Sequence, residues 1–412
     1  MKRTLHIALC LLIACQHSQA AVFRVGKNQP YQTIRQAIAS AGRGDTVLVA
    51  QGLYLEKNIS ITKPLCLMGE NYPILDGENR FEIISVRSDE VTIRGFRLEH
   101  CGVSSLQDIA AIKIYGCHRV LILSNILKAD FFGIYVQSGV RCRIENNQLK
   151  ASGRSEQQSG NGIHCWKCDS MEIINNRISG HRDGIYFEFV TNSVIWRNIS
   201  SRNIRYGLHF MFSHNDAYIS NIFQNNGAGV SVMFTHGVKM FNNFFEDNWG
   251  DGSFGLLLKE ISDSYVIGNK FTGNTSGIFM EGSSRIEVSS NEFRANGWAI
   301  KIQASCLDNV ISHNNFLSNT FDIGTNGSLV LNTFNGNYWD RYEGYDLNRD
   351  RIGDVPYHPV SLFSMVVEKN PPAMILFRSL MTSLLDKTEK LMPSLTPENL
   401  KDDSPYMKPF KL

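Results

Sequence analysis

From about residue 125 the chain keeps a fixed period of polar and apolar positions. Asparagines fall at Asn125, Asn147, Asn176, Asn198, Asn221, Asn243, Asn269, Asn291 and Asn314, at intervals of 22, 29, 22, 23, 22, 26, 22 and 23 residues. Glycines keep the same time at Gly133, Gly162, Gly184, Gly207, Gly229, Gly255 and Gly277, with Ala299 in the next slot. The first and third residues after each glycine are apolar, as in Ile185 and Phe187, Leu208 and Phe210, and Val230 and Val232. A period of two marks short strands with one buried face. Asn, Gly and Ser bound them as turn formers. Repeats of this length, built from several short strands, predict an all-β fold, a right-handed parallel β-helix. A propeller blade needs about twice the length, and leucine-rich repeats need a leucine consensus that is absent.

One coil cannot bury its inner face alone, so stacked coils share a core at about 4.8 Å per step. Inward asparagines in register can form ladders that satisfy turn backbone groups. The open ends of such a stack need caps. Ile34, Ala37, Ile38 and Ala41 predict one face of a cap helix, ended by Gly42 and Gly44, with the first strand at Thr46 to Val49. This segment resembles the entry of pectin-lyase-like β-helix proteins, a likeness of fold and not of function. The longest interval carries "ASGRSEQQSGNG" and the 26-residue one "NWGDGSFG", both predicted as protruding loops. The expected organisation is a signal peptide over 1–20, an N-terminal cap over 21–45, β-helix repeats over 46–336, a C-terminal cap over 337–370, and a docking helix with tail over 371–412. In the cap, Tyr338, Trp339, Tyr342 and Tyr345 are expected to close the last coil. After Pro371-Pro372 the period becomes helical: Phe377, Leu380, Met381, Leu384, Leu385 and Leu391 share one amphipathic face. It either packs back on the β-helix or docks on a membrane partner. The tail reads as polar and extended.

Composition narrows the function. A net charge of +2 argues against a nucleic-acid partner, which calls for a basic stripe. Lys2 and Arg3 before the apolar run Leu5 to Ala14 have the layout of a secretory leader. Ser18-Gln19-Ala20 suits cleavage before Ala21, while Leu12-Ile13-Ala14-Cys15 suits a lipobox that would anchor the chain through Cys15. Seven cysteines follow the leader, with no disulfide-framework spacing. Cys165-x-x-Cys168 is a lone pair in which Cys165 takes an inward slot, so core packing is its reading.

The chemistry concentrates in two coils. Four residues past the glycine, Met211 is followed one coil later by Met233; seven past, His214 is followed by His236; and His209 shares the strand of Met211. Thioethers beside imidazoles select Cu(I). The competing reading is an apolar contact patch for a partner, with Phe212 and Phe234 beside the methionines. Glu188, Lys259, Glu260, Glu281 and Lys301 would either line an acid/base groove, as in a secreted polysaccharide lyase or hydrolase, or form cross-strand ion pairs. Asp346, Asn348 and Asp350 echo a calcium loop but lack its glycine at the sixth position and glutamate at the twelfth, so a structural turn is preferred to calcium.

The strings "GLHFMFSHN", "GVSVMF", "GLLLKEISDS" and "NYWDRYEGYDL" with "IGDVPYHPVSLF", then Pro-Pro, an amphipathic helix and "LTPE", resemble the NosD family over essentially the whole mature chain. The resemblance implies a non-enzymatic periplasmic β-helix protein seated on an ABC transporter of membrane subunit and cytoplasmic ATPase. Such a protein assists assembly of the copper-sulfide centre of nitrous oxide reductase, with a copper lipoprotein as donor. It also implies a copper path through Met211, Met233 and His209. Lys259 and Glu260, which lie in the quoted strings, and Phe377, Leu380, Met381 and Leu384 in the helix are then expected at partner contacts.

Overall fold

The computed structural model describes residues 20–104, 106–129, 131–152, 155–327, 331–377, 379–382, 384–385 and 400–412. Residues 1–19 of the expected leader, Cys15 among them, and Leu391 and the "LTPE" string lie outside the described residues. Most coils contribute three short strands. Tyr206–Met211, Ala217–Ile219 and Ile222–Gln224 make one coil, and Ala228–His236, Lys239–Phe241 and Phe244–Glu246 the next. They pair parallel and in register, Met211 on Met233, Ile219 on Phe241 and Gln224 on Glu246. The same stacking runs from the first coil to Tyr338–Trp339, giving a parallel β-helix.

The core explains why the register holds. The Asn125 backbone N–H and Nδ2 both donate to Asn147 Oδ1, at 2.9 and 3.1 Å. The motif repeats through Asn314, whose two donors meet Asn337 Oδ1 at 3.0 Å each. Each rung satisfies buried turn N–H groups, worth about 1 kcal/mol net per bond and more when a donor would be orphaned. A second ladder begins at His181, whose N–H donates to Asn203 Oδ1 at 3.1 Å, and climbs through Asn226, Asn248, Asn274 and Asn296 to Asn319. Its spacing is also legible in the chain. Beside it Phe223, Phe245, Phe271, Phe293, Phe316 and Trp339 stack in one column, with successive ring centroids between 4.0 and 5.6 Å apart.

The two ends depart from expectation. Parallel pairing starts before the cap helix: Val22–Val25 pairs with Thr46–Val49, so Thr46 does not begin the first strand. The helix Ile34–Ser40 is capped by the Thr33 side chain, which accepts from the Gln36 N–H, and buries Ile34, Ala37 and Ile38. At the other end a helix Leu362–Lys369, capped by Ser361, precedes the Pro-Pro step and packs Phe363 and Val367 against Phe321. The later apolar face is split. Phe377 and Leu385 pack on that cluster, while Leu380, Met381 and Leu384 face solvent, Leu380 at 92% exposure. The tail is not solvated throughout: Leu400 and Asp402 are buried, and Asp402 supplies the terminal rung of the first asparagine ladder. Among the described residues no helix is long and apolar enough to cross a membrane.

Candidate functional site

The glycine at the start of each strand lets coils approach closely. A Cβ at Gly207 would lie 2.9 Å from the Gly229 carbonyl oxygen. From that point the side chains of Leu208 and Phe210 go inward, and those of His209 and Met211 outward. Met211 and Met233 are direct partners on adjacent coils, both half-buried. The chain then bends through a left-handed residue on each coil, Phe189, Phe212 and Phe234, at φ of 54, 49 and 54°. Bulky residues rarely accept this conformation. Here their rings stack face to face at 5.2 Å and stand out as a ridge, with Phe189 45% exposed.

Past the bend Ser213 and Thr235 turn inward, and His214 and His236 turn out again. Their rings lie 4.2 Å apart and within 11° of parallel. His214 Nδ1 is 3.2 Å from the Thr235 hydroxyl, which holds the ring and leaves Nε2 as the nitrogen not engaged by that contact. Burial, then the neighbouring His236, lowers the His214 pKa.

His209 does not join this surface. It is 5% exposed and held between Tyr186 and Tyr206, each 4.8 Å away. Its Nδ1 lies 3.9 Å from Asp183 Oδ2, and neither ring nitrogen makes a hydrogen bond. Asp183 is buried, accepts the Tyr206 N–H at 3.3 Å and faces Arg182 at 3.6 Å. In the same outward column His164 stacks on Tyr135 at 4.5 Å, and burial pushes its pKa down to about 3. The five metal candidates therefore fall into a methionine pair, a stacked histidine pair and a buried imidazole. Asp183 and Phe189 were missed. Asp183 precedes a glycine, in the slot of Tyr206 and Phe254. Phe189 occupies, one coil earlier, the slot of Phe212.

The remaining candidates resolve as follows. Lys259 pairs with Glu281 at 3.2 Å, and Lys301 reaches Glu368 of the C-terminal helix at 2.7 Å. Glu188 and Glu281 share a column four coils apart, roughly 19 Å at strand spacing. That is too far for the paired carboxylates of glycoside hydrolysis. Glu260 and Glu281 line an open groove of about 400 Å³ with Ser262, Ser284 and Ser305, one coil beyond Met233. Cys165 is wholly buried beside Cys168 and Cys142, and burial pushes the Cys142 thiol up to about 11. In the 346–354 turn the carboxylates serve the loop itself: Asp346 accepts the Arg351 N–H at 2.9 Å and Asp350 that of Ile352 at 2.8 Å. Among the described residues no group of three or more His, Cys, Asp or Glu side chains is arranged to hold a metal. The soft donors of this face are the two methionine sulfurs, and the histidine pair stands apart from them past the bend.

Residues 149–344 match the family model described as "Periplasmic copper-binding protein (NosD)". A probable ABC transporter binding protein NosD of Pseudomonas aeruginosa is 28% identical over 371 residues, covering 85% of this chain and 86% of that one. Its counterpart in Stutzerimonas stutzeri is 24% identical over 369 residues, covering 85% and 84%. Among solved structures, the A-module of an Azotobacter vinelandii mannuronan C-5 epimerase superposes with a TM-score of 0.52 at 12% identity, over 74% of this chain and 88% of that one. At that identity the likeness is one of fold alone. In its motif strings, its solenoid and its sequence relatives the chain is similar to the NosD proteins, described as periplasmic copper-binding proteins and probable ABC transporter binding proteins.

Proposed function

We propose that this protein is a non-enzymatic periplasmic accessory factor that handles Cu(I) beside an ABC transporter during assembly of the copper-sulfide centre of nitrous oxide reductase. The observation that carries the reading is the registered Met211–Met233 pair on a half-buried sheet face, bordered by the stacked rings of Phe212 and Phe234. Two thioethers offer soft, uncharged donors that favour Cu(I) over hard cations. Their flexible side chains can close on an ion and release it, which suits passage more than storage. Buried His209 lies on the same strand as Met211 and is the imidazole nearest in sequence to that pair. Phe212 and Phe234, with Lys259 and Glu260 one coil on, form the surface on which a copper-donor lipoprotein or the reductase would seat.

The transporter contact is assigned to the other end. Leu380, Met381 and Leu384 present an apolar patch away from the β-helix, while Phe377 and Leu385 hold the segment to the last coils. Leader cleavage before Ala21 would free the protein in the periplasm, and lipidation at Cys15 would tether it there. The alternative of a carbohydrate-active enzyme finds Lys259 and Lys301 in ion pairs and Glu188 far from Glu281.

An anaerobic competition titration of the purified chain against a chromophoric Cu(I) chelator tests the reading. Met211→Leu/Met233→Leu conserves volume while removing both sulfurs. Tight binding lost in that variant supports the thioether site; equal binding in both proteins, or none in either, refutes it.

A further inference from the structure

We propose that His214 and His236 form a second metal station, a bis-imidazole site for a divalent first-row ion such as Cu(II), separate from the methionine pair. The inference rests on the proposed copper role and divides its donors in two. Met211 and Met233 leave the chain before the left-handed bend, and His214 and His236 leave it after. Between them stand the stacked rings of Phe212 and Phe234 on the outside and the inward side chains of Ser213 and Thr235. The two imidazole rings already stack on each other, 4.2 Å apart and 11° from parallel. The Thr235 hydroxyl engages His214 Nδ1, in the way that an outer partner holds a metal-binding histidine, and leaves Nε2 as the candidate donor. His236 is exposed, so its ring has room to turn toward an ion shared with His214. Among the described residues no third His, Cys, Asp or Glu completes the set. Asp263, the carboxylate that senses His236, is engaged by Arg285 at 2.7 and 2.9 Å. Water or a donor from a docked partner therefore fills the other positions. Imidazole without sulfur suits Cu(II), Ni(II) or Zn(II), and Cu(II) binds best in the divalent series. The thioether pair suits Cu(I). The phenylalanine ridge thus has a borderline-ion station on one side and a soft-ion station on the other.

Cu(II) titration of the purified chain, followed by electron paramagnetic resonance, tests this. The spectrum should show imidazole nitrogen coupling. It should weaken by about tenfold or more in affinity for His214→Gln/His236→Gln, while Met211→Leu/Met233→Leu leaves it unchanged. His236→Gln alone, at an exposed position, should give the same loss if the double variant folds poorly. Cu(I) competition in the histidine variants should match the parent. Unchanged Cu(II) binding in the histidine variants would overturn the proposal, as would joint loss of Cu(I) and Cu(II) in either pair, which would mean one merged site. Absence of Cu(I) binding with histidine-dependent Cu(II) binding would leave the station standing and refute the thioether reading alone.

Discussion

Asp402→Ala removes the rung that closes the asparagine ladder, and its effect can be worked from the contacts. Oδ2 accepts the Asn337 N–H at 2.8 Å, Asn337 Nδ2 at 3.0 Å and the Trp339 indole N–H at 3.1 Å. Oδ1 accepts the Gly336 N–H at 2.9 Å and the Ser404 N–H at 3.1 Å. Alanine leaves the Gly336, Asn337 and Trp339 donors buried without an acceptor. At about 1–3 kcal/mol each, less what water recovers at the solenoid end, the loss is about 3–5 kcal/mol. In a stack whose coils contact only their neighbours, that loss stays local. Native-state hydrogen exchange read by mass spectrometry should show protection around residues 331–345 and 400–412 falling by about two orders of magnitude or more. The coil at 217–246 should not change. Asp402→Asn keeps the oxygen that faces Asn337 and loses the one that faces Gly336, so its effect should be intermediate. Unaltered exchange at the C-terminal coil in Asp402→Ala would refute the idea that this carboxylate holds the chain end in place.

Three further outcomes follow from the same contacts. Asp216 is buried, burial raises its pKa to about 8, and its Oδ1 accepts the Ser193 N–H at 2.7 Å. A carboxyl whose folded pKa is raised contributes stability that is full below its unfolded value near pH 4 and is lost as pH rises toward 8. Asp216→Asn, which keeps the acceptor, should therefore gain melting temperature over the parent at pH 8 and lose that advantage at pH 4; parallel pH profiles would refute it. Replacing the exposed Phe189 and Phe212 together by serine should move stability by no more than about 1 kcal/mol, since exposed left-handed positions disfavour bulky residues. The same variant should lose capture of the copper partner, and intact capture would remove the ridge from the docking surface. Leu380→Asp/Met381→Asp/Leu384→Asp should abolish co-purification with the transporter membrane subunit and leave the melting temperature within a few degrees.

Much of the architecture is readable in the chain because the period of a solenoid is written directly into it. Asn125 to Asn314 and the strand glycines lie in their coils where their spacing puts them, and the Met211 to His236 register follows from counting. What escaped depends on contacts that counting cannot reach. Asp402 meets Asn337 across 65 residues, so no local pattern announces it. His209 alternates outward as the period requires, yet Tyr186 and Tyr206 from neighbouring coils and slots cover it. The helix Leu362–Lys369 carries β-branched Val366 and Val367, which mask its period; the Ser361 cap was its one local sign. The split apolar face after Pro372 reflects tertiary packing, with Phe377 and Leu385 drawn to Phe321 and Phe363.

The central claim is that copper passes through the sulfur atoms of Met211 and Met233. X-ray absorption at the copper edge, on the anaerobically Cu(I)-loaded chain, reads that claim at the metal. The account predicts sulfur scatterers in the first shell that disappear in Met211→Leu/Met233→Leu. A shell of nitrogen and oxygen alone, or sulfur that persists in the variant, would contradict it.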